Sequence, residues 1–322
     1  MKNLWISYSV TILLLGVCLG IIVWFFAPSY IANRLLLVSP LPDFLLRIKN
    51  DQVSTTNVFL PSIQPADALE NTLRIDAKSS LSYDLTTQQV LQRKNPRLKL
   101  PMASLTKIMT AIVGLENAQD GVLYTATKEN IVGENSMGIT PGEKFTLEEL
   151  LHGLVLLSGN DAAEVIASNY KGGREKFIVA MNTKAKALGL TDTNFTNPSG
   201  LSGDGDQYTT AYDLLVITNY ALTNFPMFAD VAKTVNYHIP RTENHKEFYL
   251  SNETNLLTSY PGVKGVKDGY TKEAGLCLVT YLDYNGHKII AVLLGSDNRR
   301  QDMKDILDFS LKKLGVIPPK HN

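Results

Sequence analysis

Histidine and cysteine are scarce in this chain. Its 322 residues hold five histidines and two cysteines, thin material for a zinc site or a disulfide framework. Cys18 lies in an apolar run and Cys277 in "AGLCLVTYL", which does not read as a bonded pair. There is no His-Glu-x-x-His, no clustered Cys/His set and no Gly-x-x-x-x-Gly-Lys phosphate loop. A Gly-x-Ser-x-Gly nucleophile elbow is missing too. None of His152, His238, His245, His287 and His321 stands near one, which argues against a Ser-His-Asp hydrolase. Excess charge of either sign is absent, with 31 basic residues against 31 acidic. Nothing therefore points to nucleic acid or another polyanion as a partner. Internal repeats and low-complexity tracts are absent as well.

Charge is also missing between Lys2 and Arg34, where "VTILLLGVCLGIIVWFF" is almost wholly apolar. An uncharged stretch near 20 residues fits a membrane-spanning helix. A cleaved signal peptide has a shorter core, about 7–15 residues, and ends at small residues. Here bulky "WFF" stands at that place, although Ala27 and "YIA" at 30–32 leave cleavage open. Residues 1–28 are read as an N-terminal transmembrane anchor or uncleaved signal. The flanking charges, Lys2 against Arg34, Arg47 and Lys49, do not fix its orientation.

With 44% hydrophobic residues, the rest reads as globular. Prolines at 28, 40, 42, 61 and 65 break residues 29–70 into a linker. From 71 to 316 the pattern becomes that of a folded domain, with 317–322 a tail. "LSYDLTTQQVLQRKN" reads as a hairpin. Helices are expected from about Ser104, over "TLEELLHGLVLL" with a Thr146/Glu149 capping box, over "REKFIVAMNTKAKALGL" ended by Gly189, and over "TTAYDLLVITNYALTN". Two β-rich runs joined at "YNGH" follow, Asn-Gly being a strong two-residue hairpin signal. An amphipathic helix, "RRQDMKDILDFSLKKLG", comes last. This order gives an α+β fold, helices packed on an antiparallel sheet.

Within "PMASLTKIMTA", Ser104 precedes Lys107 by three residues. A serine at a helix start is ordinarily a cap. Three residues apart on a helix, the two side chains also share a face. An amine set in an apolar wall loses basicity, and its neutral form can take the serine proton as the serine attacks. Two further pieces follow in order: Ser158-Gly159-Asn160 after an apolar helix, and Lys267-Asp268-Gly269-Tyr270-Thr271 leading into a strand. Gly269 there removes a side chain where a substrate could lie against the strand edge.

Taken together, Ser-x-x-Lys, Ser-x-Asn and a Lys-x-Gly triplet resemble the motif set of the serine penicillin-recognising enzymes. "PMASLTKIMTA", "GITPGEKFTLEELLHGLVLLSGNDAAEVIA", "MNTKAKALGLTDTNFTNPSGL" and "KDGYTKEAGLCLVTYL" are similar to the D-alanyl-D-alanine carboxypeptidases of peptidase family S11. The resemblance spans residues 70 to 315. It implies a β-lactamase/transpeptidase-like fold with a helical subdomain, and a substrate that is a peptidoglycan stem peptide. β-Lactams are implied as covalent inhibitors, and no metal or organic cofactor. Ser104 is the implied nucleophile, Lys107 its base, and Ser158 the relay to the leaving amine, held in place by Lys267. Asn160 is implied to bind the substrate's peptide group. The N–H groups of Ser104 and Tyr270 would form the oxyanion hole, with Asp268, Gly269 and Thr271 beside them. Arg299 fits the position that binds the terminal carboxylate, with Arg300 the alternative register. The resemblance places the domain outside a cell membrane crossed once by the N-terminal helix.

One residue departs from the family pattern: Asp268 stands where a threonine is usual. A carboxylate there would repel a substrate carboxylate about 4 Å away by on the order of 1–4 kcal/mol. Arg299 could neutralise it, it could be protonated or turned away, or the enzyme could favour substrates lacking that carboxylate. The alternatives to a carboxypeptidase are a D,D-endopeptidase on cross-linked peptides, a class A-like β-lactamase, and a catalytically weakened peptidoglycan-binding protein. The region "TDTNFTNPSGLSGDG" lacks the glutamate that the second would need. After the final helix "LGVIPPKHN" is too short for the second β domain or amphipathic anchor frequent in the family, which leaves anchoring to the N-terminal helix.

Overall fold

The computed structural model describes residues 59–62, 73–254 and 256–321. The apolar segment read as an anchor, and most of the linker, lie outside the described residues. Among the described residues no helix is long and apolar enough to cross a membrane.

The hairpin expected over "LSYDLTTQQVLQRKN" is formed by β1 (Ser79–Asp84) and β2 (Gln89–Lys94). A 3-10 turn, Ala103–Leu105, leads into α1 (Thr106–Glu116), so the α-helix begins two residues after Ser104. A short ribbon of β3 (Tyr124–Thr125) and β4 (Lys144–Phe145) precedes α2 (Leu147–Leu156). The capping box is present: Glu149 N–H donates to Thr146 Oγ1 at 3.2 Å, and Thr146 N–H to Glu149 Oε2 at 2.8 Å. The helical layer continues with α3 (Asn160–Ser168), α4 (Gly173–Ala187), α5 (Ala211–Asn224) and α6 (Pro226–Lys233). Beyond α4, Gly189 takes φ +75°. Its N–H and that of Leu190 bond the carbonyls of Lys186 and Ala185, both at 2.9 Å, a left-handed C-terminal stop. A second ribbon, β5 (Asn236–Ile239) with β6 (Phe248–Ser251), leads to β7 (Val263–Thr271), β8 (Gly275–Tyr284), β9 (His287–Ser296) and α7 (Arg299–Lys313).

The main sheet has the order β2-β1-β9-β8-β7, with every neighbouring pair antiparallel. The β8–β9 turn is Asn285-Gly286, both at positive φ (49° and 83°), which only a tight primed turn requires. Both sheet faces are covered. In β9, Ile290, Val292 and Leu294 join the core under the helical layer, while Ile289, Ala291 and Leu293 pack with Met303, Ile306, Leu307 and Leu311 of α7. The run "IIAVLL" therefore alternates between two cores rather than between core and water.

The sequence signals missed α3, α6 and the β5–β6 ribbon, and they set Lys267–Thr271 ahead of a strand rather than within β7. Pro226 occupies the first turn of α6, where its missing N–H has no helical partner to lose. In β7 the alternation is hidden because Lys267 and Asp268 are both buried.

Candidate active site

The 3-10 turn, not a cap, is what shapes the environment of Ser104. Ala103 holds φ +48°, and Ser104 makes no side-chain capping bond to either helical segment. Its Oγ lies 3.0 Å from Lys107 Nζ. The same Nζ donates to Asn160 Oδ1 and to the Ser199 carbonyl, each at 2.7 Å. Those two oxygens have no hydrogen to give, so they orient two of the N–H bonds of Lys107. The remaining tetrahedral direction faces Ser104. In the neutral amine that direction is a lone pair, ready to accept the Ser104 hydroxyl proton.

Lys107 is fully buried. Burial pushes its ammonium well below the ordinary lysine range, and the Lys267 cation acts in the same direction, against the pull of Asp268, Asp161 and Glu164. The Ser199 carbonyl was not visible from side-chain motifs. Its signal is the turn "NPSG": Asn197 Oδ1 accepts the N–H groups of Ser199 and Gly200 at 3.2 and 2.7 Å. That turn is pinned to α1 by the bond from Thr110 Oγ1 to the Pro198 carbonyl, 2.6 Å.

Asn160 opens α3, and its N–H donates to the Asn135 carbonyl at 2.8 Å. Next to it Asp161 gathers the N–H groups of Met137, Gly138 and Ile139 at 2.8 to 3.0 Å, fixing the loop that forms one wall. Ser158 is buried, holds φ +56°, and its Oγ has no hydrogen-bond partner among the described residues.

The sheet supplies the opposite wall. β7 is the edge strand, and its Gly269 sits so close to the turn that a Cβ there would lie 2.9 Å from Ser104 N and 3.1 Å from Ala103 Cβ. The glycine is thus needed by the backbone of the nucleophile's turn, a different reason from the room for substrate expected from sequence.

Lys267 departs from expectation. Its Nζ donates to the Asp268 carbonyl at 3.0 Å and to Asp268 Oδ1 at 2.8 Å, and no bond joins it to Ser158. The adjacent carboxylate is a stronger partner for an ammonium than a hydroxyl. Arg299 donates to Asp268 Oδ2 at 2.6 Å and to the Gly269 carbonyl at 2.9 Å, so Arg299 and not Arg300 reaches the site. Burial raises the Asp268 pKa, but the Lys267 and Arg299 cations outweigh it and hold the carboxyl below its ordinary value. Asp268 is therefore an anion facing inward, neither protonated nor turned away. Thr271 Oγ1 accepts the Ala274 N–H at 3.1 Å in the β7–β8 turn, and the Tyr270 ring is exposed at the rim.

These elements enclose a cleft of about 780 Å³ lined by Ser104, Ser158, Asn160, Asp268, Gly269, Tyr270, Thr271 and Arg299, with Glu134, Glu253 and Glu273 along its sides. Glu253 was not singled out in the sequence. Its N–H bonds the Leu156 carbonyl at 3.0 Å. Desolvation and then the Asp268 charge raise its carboxyl pKa, with Lys267 and Arg299 opposing. Among the described residues no cluster of His, Cys, Asp and Glu could hold a metal ion.

A buried amine at hydrogen-bond distance from a cleft serine suits nucleophilic acyl transfer. The comparisons agree with this chemistry. The family model for D-alanyl-D-alanine carboxypeptidase, peptidase S11, matches residues 66–298. The D-alanyl-D-alanine carboxypeptidase DacF of Bacillus subtilis is 34% identical over 252 residues, which cover 76% of this chain and 64% of that protein. The chain thus spans just under two thirds of that relative. DacB2 of Mycobacterium tuberculosis, a D-alanyl-D-alanine carboxypeptidase by name, is 34% identical over 220 residues, 68% of this chain and 74% of that protein. The crystal structure of the Streptomyces K15 DD-transpeptidase superposes with a TM-score of 0.68 at 31% identity, covering 75% of this chain and 99% of that one.

Proposed function

Because the chain belongs to peptidase family S11, the D-alanyl-D-alanine carboxypeptidases, we propose that it is a serine D,D-peptidase that cleaves the D-alanyl-D-alanine end of peptidoglycan stem peptides. The observation that carries this reading is Lys107, buried and directed at Ser104 Oγ by two acceptors that cannot donate.

Ser104 Oγ attacks the carbonyl of the penultimate D-alanine while its proton passes to Lys107 Nζ. The tetrahedral oxyanion meets the N–H groups of Ser104 and Tyr270, the largest expected electrostatic contribution. The C–N bond then breaks, the leaving amine takes a proton by way of Ser158, and the terminal residue departs. Water attacks the resulting ester, restoring Ser104. Asn160 positions the substrate's peptide group, and the Arg299 end of the cleft receives the departing residue.

The domain works outside the cytoplasmic membrane, where its substrate lies, held by the apolar segment at residues 10–26. The length and lack of charge of that segment support the anchor. Fractionation and protease accessibility in intact cells test this placement.

The enzymatic reading is tested by incubating the protein with a β-lactam and mapping the adduct by mass spectrometry. An acyl group on Ser104, absent in Ser104→Ala, is expected, along with release of D-alanine from a pentapeptide. A folded protein that neither acquires an adduct nor cleaves the peptide refutes it.

A further inference from the structure

We propose that Asp268 sets the leaving-group specificity of this cleft, selecting substrates whose residue beyond the scissile bond carries no free carboxylate. This rests on the acyl-enzyme reading above, in which the departing residue lies toward Arg299.

Two cations converge on that end of the cleft, Lys267 and Arg299, the set an incoming carboxylate would need. Both are engaged from within. Asp268 presents one oxygen to each, Oδ1 to Lys267 at 2.8 Å and Oδ2 to Arg299 at 2.6 Å. Their other bonds go to main-chain carbonyls of the same strand, Asp268 O for Lys267 and Gly269 O for Arg299. The side chain of Asp268 is only 12% exposed and those of its two partners 2% and 15%, so water screens this triad weakly. The protein's own carboxylate thus fills the anion site. Further negative charge lies nearby: Glu134, Glu253 and Glu273 line the same cleft, with Lys272 among them. A substrate carboxylate entering here must either share the two cations with Asp268 or displace a buried ion pair.

A departing residue whose carboxyl is amidated, or which is joined through a side-chain amine with no adjacent carboxyl, avoids that conflict. Its neutral N–H or C=O can bond the outer face of the Asp268–Arg299 pair. Like charges at contact distance imply discrimination on the order of tenfold or more.

The test uses the full chain and matched pairs: a pentapeptide ending in D-alanyl-D-alanine as free acid and as amide, and benzylpenicillin as free acid and as methyl ester. A cross-linked dipeptide joined through a lysine ε-amine separates the two natural sources of a neutral leaving group. Wild type is expected to cleave the amide and the side-chain-linked peptide at least tenfold faster, by kcat/KM, than the free acid. It should also be acylated faster by the ester. Asp268→Thr and Asp268→Asn should both shift preference toward the acid. A wild-type enzyme that acylates at Ser104 yet favours the acid overturns the proposal and leaves the acyl-enzyme reading intact. A shift in Asp268→Thr without one in Asp268→Asn overturns it too, since charge would not be the cause. Failure of every probe to acylate Ser104 removes the acyl-enzyme reading and this proposal with it.

Discussion

At the scale of single residues the decisive quantity is the proton on Lys107. Burial, reinforced by the Lys267 cation, lowers its affinity for that proton, and only the unprotonated amine can accept from Ser104. Below the lowered pKa acylation is suppressed; above it the lone pair is available. The acylation rate by a β-lactam ester should therefore rise with pH and level off below the ordinary lysine value of 10.5. The folded chain also binds this proton less tightly than the unfolded chain, so the stability linked to Lys107 grows as pH rises between the two values. Lys107→Met keeps the apolar stem and should fold, yet acylate more slowly by roughly 10²–10⁴-fold. Stopped-flow labelling checks this, and a rate within threefold of wild type would show that the amine is not the base. How much of this was legible depends on distance along the chain. Ser104 and Lys107 are one helical turn apart, so the motif and the geometry coincide. The Ser199 carbonyl belongs to the main chain 92 residues away, and no side chain advertises it. The hold of Asp268 on Lys267 is local, but a strand sequence does not say which way two adjacent charged side chains turn.

At the scale of elements the cleft depends on backbone approaches that tolerate no side chain. Gly200 combines φ +89° with a position where a Cβ would fall 2.0 Å from the Ala103 carbonyl oxygen. Gly269 has an ordinary φ but the 2.9 Å approach to Ser104 N. Gly203 has φ +116° and nothing within 4 Å. Alanine at each separates the two effects. Gly203→Ala should cost only the backbone strain, on the order of 1 kcal/mol, with acylation unchanged. Gly200→Ala adds a main-chain clash and should destabilise by roughly 2 kcal/mol or more while slowing acylation. Gly269→Ala should fold but push β7 away from the nucleophile's turn, lowering acylation more than stability. Thermal denaturation alongside labelling rates distinguishes the three, and equal behaviour of Gly200→Ala and Gly203→Ala would remove the packing argument. The same contacts explain why β7 escaped the sequence reading. Its glycines and its buried Lys267 and Asp268 serve the site rather than strand propensity, so the continuous apolar run that marked β9 has no counterpart where chemistry replaces packing.

At the scale of the whole molecule the site draws on residues from 104 to 299, and neither the helical layer nor the sheet holds it alone. The two cores divide the labour. The larger one joins the helical layer to one sheet face and contains Met102, Ala103, Leu105, Ile108 and Met109 around the nucleophile, while the smaller seats α7 on the opposite face. The α+β layout was readable because hairpin and helix signals come in separate blocks along the chain, a hairpin, several helices, a second hairpin and a last helix. The assignment of β9 residues to two different cores was not, because an unbroken apolar run carries no mark of which neighbour covers each side. This division makes stability and chemistry separable. Leu307 lies fully buried in the smaller core, two helical turns beyond Arg299. Leu307→Ala should lower stability by about 2–5 kcal/mol through lost burial and the cavity left behind. Because the first turn of α7 is held independently, with Asp302 accepting the N–H groups of Asp76 and Ala77 at 3.0 and 2.8 Å and the Ser296 hydroxyl at 2.7 Å, Arg299 should keep its place. Acylation of the still-folded variant at 25 °C should then match wild type while its thermal midpoint falls by several degrees. A parallel loss of acylation would mean that the back of the sheet transmits its packing to Asp268 through α7, and that the two cores act as one.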